Sequence, residues 1–195
     1  MNYYETYTNF LARFLDPQRS LRVVFDCSNG TTGQILNILF KTSKLITHTL
    51  INSSPDGAFP AHGPDPLLPH AIYALQRAVV REKADVGVIF DADGDRAFFV
   101  DDRGRFVDPD IVSSLLIWHL RPARIVIDPR TSWLIRKIKS QKSKIKIIES
   151  PVGHYFIKKI MRERHAEFSG ERSGHYYFKD FFYADSGILA ALHVM

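Results

Sequence analysis

Three short, β-branched runs that each end on an aspartate constrain this chain most. Residues 21–25 run into Asp26, residues 84–90 into Asp91 and residues 124–127 into Asp128. Helical spacing of apolar residues separates such runs, over 32–40 and 70–82 in the first half and over 133–140 in the second. Two adjacent parallel strands need a crossover of a dozen or more residues, usually a helix, so this alternation specifies a parallel α/β layer. Ligands of open α/β sheets bind beyond the carboxyl ends of the strands, and that is where the three aspartates fall.

The remaining segments complete two similar halves. The first has a helix over 3–15, strands over 21–25 and 44–51, and strands over 84–90 and 97–100 around the acidic stretch. Its helix over 70–82 presents Ile72, Leu75, Val79 and Val80, and residues 101–104 form a hairpin turn. Residues 52–69 hold five prolines and two glycines, an ordered loop anchored by Phe59, Leu67 and Leu68. The second half has helices over 110–119, 133–140 and 154–165 and strands over 124–127, 144–148 and 176–178. Residues 23–26 (VVFD) and 125–128 (IVID) mark the likeness between the halves. The expected fold class is α/β, with two similar three-layer α/β/α domains over 1–102 and 103–195 and mixed, mostly parallel sheets. A last helix starts near Asp185 and is cut at Met195, which reads as a truncated chain.

Composition removes several functional classes. At 45% apolar and 24% charged residues the chain is globular. No stretch approaches the ~18–20 apolar residues of a membrane span, and the N-terminus has acids where a signal peptide has none. One cysteine, Cys27, cannot form an internal disulfide, so a cytoplasmic setting is the default. The net charge of +5 suits an anionic ligand. Nucleic acid is not expected, because no basic stripe carries interleaved aromatics. Lys137, Lys139, Lys142, Lys144 and Lys146 read as a solvated edge.

Two loops carry chemistry. Asp91, Asp93 and Asp95 alternate through a stretch closed by Gly94 and Arg96. Three carboxylates so close repel unless a cation neutralises them, and oxygen-only ligands favour a hard ion, Mg²⁺. Gly94 permits the sharp turn, and Arg96 supplies a planar donor suited to phosphate. A calcium EF-hand is excluded, because Arg96 occupies the position that requires glycine and a strand precedes the loop. The second loop is Gly170-Glu171-Arg172-Ser173-Gly174-His175. In an extended loop Glu171 and Ser173 face the same way, and a carboxylate beside a hydroxyl matches adjacent sugar hydroxyls. His175 can move a proton or, as a cation, bind phosphate.

Together these loops, the run 55–60 and the stretch 153–161 resemble the α-D-phosphohexomutase family of phosphomannomutases and phosphoglucomutases. The resemblance implies the second and third of four domains, since no Ser-His-Asn-Pro sequence, the phosphoserine loop of the family, occurs here. It implies Mg²⁺ on Asp91, Asp93 and Asp95, Arg96 near the phosphoserine, and sugar hydroxyls on Glu171 and Ser173. His175 closes the sugar loop, His154 is a proton-transfer or phosphate residue, and Arg130 meets the substrate. The implied reaction moves a phosphoryl group between the C1 and C6 oxygens of a hexose phosphate through a hexose bisphosphate. The chain alone is then inactive, and a separate chain carrying the phosphoserine domain is a candidate partner. Residues 88–94 also resemble the haloacid-dehalogenase phosphatase signature, with Asp95 in place of its threonine. A non-catalytic, mutase-derived scaffold is the third alternative. Asp185-Ser186 stands where the family often has Asp-Asp, outside the expected chemistry.

Overall fold

The computed structural model describes residues 2–41, 43–138 and 145–195. The first unit contains α1 (Tyr3–Ala12), β1 (Leu21–Asp26), α2 (Thr32–Phe40), β2 (Ile46–Ile51), α3 (Tyr73–Glu82), β3 (Val86–Phe90), β4 (Ala97–Asp101) and β5 (Phe106–Val107). Its sheet has the order β2-β1-β3-β4-β5. The second unit contains α4 (Pro109–Leu120), β6 (Arg124–Ile127), α5 (Trp133–Ile138), β7 (Lys146–Glu149), α6 (His154–Arg164), β8 (Phe168–Gly170), β9 (Tyr176–Phe178), β10 (Ala184–Asp185) and α7 (Gly187–Val194), with the sheet order β10-β9-β8-β6-β7. In each sheet two neighbouring pairs are parallel and two antiparallel. The antiparallel pairs flank one reversed strand, β4 or β9, so the other four strands of each sheet share a direction, as expected.

The continuous apolar strands follow from burial on both faces. On β1, Val23 and Phe25 pack with Leu36, Leu39 and Phe40 of α2, and Val24 packs with Leu75 and Val79 of α3. On β6, Ile125 and Ile127 face α4 and α5, and Val126 meets Ile157 and Met161 of α6. Each unit is thus a three-layer α/β/α stack. The core on the α2 side of the first sheet continues into the α4 and α7 side of the second.

Backbone contacts join the units. Arg96 and His175 form an antiparallel bridge, the Ala97 N–H donates to the Gly174 carbonyl at 3.0 Å, and the Gly187 N–H donates to the Gly94 carbonyl at 3.0 Å. α7 packs on β3, β4 and α4. A Cβ on Gly187 would lie 2.4 Å from the Arg96 carbonyl oxygen, so only glycine permits this approach.

Several expectations need correction. Leu67 and Leu68 are 55% and 43% exposed and do not anchor the 52–69 loop, which polar contacts hold instead. Val80 is 55% exposed, because the helical period turns it away from its neighbour Val79. β5 belongs to the first sheet although it follows the expected 102/103 division, since it pairs with β4 across the 101–105 turn. The last helix begins at Gly187, after Ser186 accepts a hydrogen bond from the Leu189 N–H and caps it. The expected end of the helix at 139–140, and Lys139, Lys142 and Lys144 with the expected start of the next strand, lie outside the described residues.

The Gly187→Ala variant should lose about 1–3 kcal/mol of stability, as overpacked sites do. Urea unfolding checks this; an unchanged midpoint would mean that the two units do not meet at this backbone contact.

Candidate active site

The β3–β4 connection is built around Asp91. Its Oδ1 accepts from the Gly94 and Arg96 N–H groups, each at 3.1 Å, and its Oδ2 accepts from Arg96 Nε at 2.6 Å. Gly94 has φ +78°, a left-handed conformation that lets the chain reverse at this point. Asp91 is buried, Asp95 half-buried and Asp93 exposed, and one oxygen of each lies within 4.8 Å of the others. Burial pushes the Asp95 carboxyl up to about 7; the Asp91 and Asp93 charges add to this, and His175 opposes it. Arg96 reaches the other way, with Nη1 3.0 Å from Asp65 in the 52–69 loop.

The second loop is a turn and not an extended segment. The Glu171 N–H donates to the His175 carbonyl at 2.9 Å and the Gly174 N–H to the Glu171 carbonyl at 3.1 Å. The expectation that Glu171 and Ser173 project alike from an extended chain is therefore not met. Glu171 is buried, with Oε1 accepting from Arg130 Nη2 at 2.6 Å and Oε2 from the Tyr177 hydroxyl at 2.5 Å. Burial and the adjacent Glu171 charge push the Tyr177 hydroxyl far up, so it remains a donor. Arg130 also donates from Nε and Nη2 to Asp128, at 2.9 and 2.7 Å. Ser173 is half-buried, and its hydroxyl makes no hydrogen bond among the described residues.

His175 links the two loops. Its Nδ1 lies 3.0 Å from Asp185 and 3.6 Å from Asp95. Burial lowers the imidazole, but Asp185 and Asp95 outweigh it and the net direction is upward. Asp185 shows the complementary effect. Burial raises it, yet His175 and Lys158, whose Nζ is 2.6 Å away, bring it down to about 2. Asp91, Asp93, Asp95, Arg96 and His175 line one cleft with Pro64 and Asp65, of about 450 Å³.

His154 stands apart. It is exposed as the first residue of α6 and makes no hydrogen bond or ion pair with this cluster among the described residues. Sequence reasoning missed Asp65, Asp185, Lys158 and Tyr177. Asp65 had a signal in its place between Pro64 and Pro66, and Asp185 was set outside the chemistry although it contacts His175. Tyr177 had none, because its buried strand reads as plain core.

Comparison with known proteins places these loops. Residues 2–104 match the model of phosphoglucomutase/phosphomannomutase alpha/beta/alpha domain II, and residues 108–195 that of domain III. The chain belongs to the phosphoglucomutase/phosphomannomutase family. A phosphomannomutase of Methanocaldococcus jannaschii is 39% identical over 182 residues, covering 89% of this chain and 39% of the relative. One of Salmonella typhimurium is 35% identical, covering 89% and 40%. The structure of a family protein from Burkholderia thailandensis superposes with a TM-score of 0.86 at 28% identity, over 98% of this chain and 42% of that one. The chain thus spans about two fifths of the length of these relatives. No helix among its described residues is long and apolar enough to cross a membrane.

In this member of the family the Tyr177→Phe substitution leaves one oxygen of a buried carboxylate without its donor. It should cost about 1–3 kcal/mol in urea unfolding, with an unchanged circular-dichroism spectrum. A neutral result would mean that water or another donor takes over at Glu171.

Proposed function

We propose that this chain forms the metal- and sugar-binding centre of a phosphohexomutase, which interconverts hexose 1-phosphates and 6-phosphates. The observation that carries this reading is the backbone bridge at Arg96 and His175, which sets an acidic loop and a Gly-Glu-Arg-Ser-Gly-His loop side by side. Family membership supports it, and it favours a mutase over the haloacid-dehalogenase alternative, because the acidic loop falls within the domain II match. The first unit is best taken to end at Val107, where its sheet ends.

The three aspartates fit Mg²⁺. They offer only oxygen, their ligand atoms are mutually within reach of one ion, and burial together with the crowding of like charge that raises Asp95 is what a divalent cation relieves. Mg²⁺ bound there would neutralise charge on a transferring phosphoryl group. Arg96 holds Asp91 in place and lines the cleft, where its guanidinium suits a phosphate oxygen. Glu171 and Ser173 take sugar hydroxyls, with Glu171 held by Arg130 and Tyr177 so that its lone pairs point in fixed directions. Arg130 therefore acts on the sugar through Glu171 as well as by its own charge. His175, whose imidazole Asp185 and Asp95 push towards the cationic form, suits an anionic ligand, and exposed His154 is free to move a proton or meet a phosphate.

Phosphoryl exchange also requires a donor phosphoserine and a group that binds the substrate phosphate. The Ser-His-Asn-Pro sequence that carries the donor in this family does not occur in the 195 residues. Both functions are assigned to domains outside this sequence, on the same or on a separate chain.

Two outcomes follow. The purified 195-residue chain should bind Mg²⁺ at about millimolar affinity, typical of weak oxygen-ligand sites, with the calorimetric heat lost in Asp93→Ala. The same chain should give no detectable conversion of mannose 1-phosphate to mannose 6-phosphate in a coupled assay; turnover would show that the two units suffice.

A further inference from the structure

The 52–69 loop is pinned to the first unit at one buried charged contact. Asp26, at the carboxyl end of β1, is fully buried, and His62 Nε2 lies 3.2 Å from each of its carboxylate oxygens. The His62 side chain is only 8% exposed, and among the described residues its Nδ1 meets no hydrogen-bond partner, so the Asp26 contact is its main polar anchorage. Asp26 also accepts from the Ser28 N–H at 3.0 Å and from Asn52 Nδ2 at 2.9 Å, which ties the start of the loop to the same carboxylate. Two and three residues beyond His62 the loop reaches the acidic loop. The Ala92 N–H donates to the Pro64 carbonyl at 3.1 Å, and Arg96 donates to Asp65 at 3.0 Å.

We propose that Asp26 and His62 form a protonation-dependent latch that positions the acidic loop. With His62 cationic, the ion pair clamps residues 52–69 as a strap across the end of β1, and the strap fixes the Ala92 backbone and the Arg96 side chain. With His62 neutral, the strap is held by hydrogen bonds alone and releases Ala92 more often. Asp26 and His62 are positioning residues, because neither lines the cleft. The consequence for Mg²⁺ rests on the reading proposed above, whereas the latch itself does not.

The charged surroundings are simple. Asp26 of β1 is the ionised group in contact with His62 among the described residues, with the neutral, buried Cys27 thiol next to it on the strand. On the strap, Asp56 accepts from the Ala58 N–H and Asp65 is engaged with Arg96. The Asp26 hydrogen bond raises the imidazole, burial opposes it, and the net direction is upward. A raised base stabilises the closed strap fully below its ordinary range near 6.5 and loses that contribution as pH rises through the raised value.

The test is hydrogen exchange of the Ala92 amide in the isotopically labelled 195-residue chain, with NMR titration of the His62 ring in the same samples. His62 should titrate above about 6.5, and Ala92 protection, corrected for intrinsic base catalysis, should fall with the same midpoint. The fall should be about tenfold for each pH unit by which that midpoint exceeds the ordinary value. His62→Gln should hold Ala92 at its low-protection limit at every pH, and His48→Gln, in β2 and away from the latch, should leave the profile unchanged. Protection that stays flat through the His62 titration, or a midpoint at or below about 6.5, would overturn the latch. Both quantities come from the unmodified chain, so a variant that fails to fold does not block the decision. Mg²⁺ calorimetry at the two pH limits separates the readings: linked protection without Mg²⁺ heat keeps the latch and removes the metal site. Mg²⁺ binding with flat protection does the reverse.

Discussion

The structure depends on one close backbone approach between two units of the chain. The acidic loop of the first and the Gly-Glu-Arg-Ser-Gly-His turn of the second meet edge to edge at Arg96 and His175. Side chains would keep them apart, and glycine removes that obstacle twice. Gly174, at φ +88°, would set a Cβ 2.7 Å from the Phe98 ring, and Gly187 would set one 2.4 Å from the Arg96 carbonyl. The shared core under α4 and α7 backs this contact, and it sets His175 of the second loop into the cleft beside the acidic loop.

Charge balance around this contact follows from its geometry. Asp91, Asp185, Glu171 and Asp128 are buried or nearly so and Asp95 is half-buried, and each faces a basic group of Arg96, His175, Lys158 or Arg130. A buried carboxylate with no partner would cost several kcal/mol, so the arginines and the lysine are structural whatever else they bind. Asp93 is the exception, exposed at the rim of the cleft, and it is the acidic residue most open to a cation from solution.

Much of this was legible in the amino-acid order. Residues such as Val23, Val24 and Phe25 are buried on both faces of a sheet, and only a layered α/β stack provides that. Asp91, Asp93 and Asp95 could be joined from spacing alone, because contacts within five residues are local. The failures share a cause. Leu67 and Leu68 look like anchors by composition, but the strap is held by Asn29, His62 and Asp65, whose partners lie 25–36 residues away. Val80 looked like core because helical spacing alone does not separate adjacent valines at the edge of an apolar stripe.

By itself the sequence determined the two α/β stacks, the strand ends that bear the aspartates and the sharp turn at Gly94 in the acidic loop, since propensity and hydrophobic period act over a few residues. Only the tertiary structure decided which charges meet. It turned Glu171 inward onto Arg130 and Tyr177, brought Asp185, expected outside the chemistry, to His175, and left His154 in solvent. Arg130 meets Glu171 across 41 residues of chain, and the nearer Tyr177 and Asp185 contacts depend on how β8, β9 and β10 fold back on one another, where an ångström decides whether two groups bond and no local pattern records the distance.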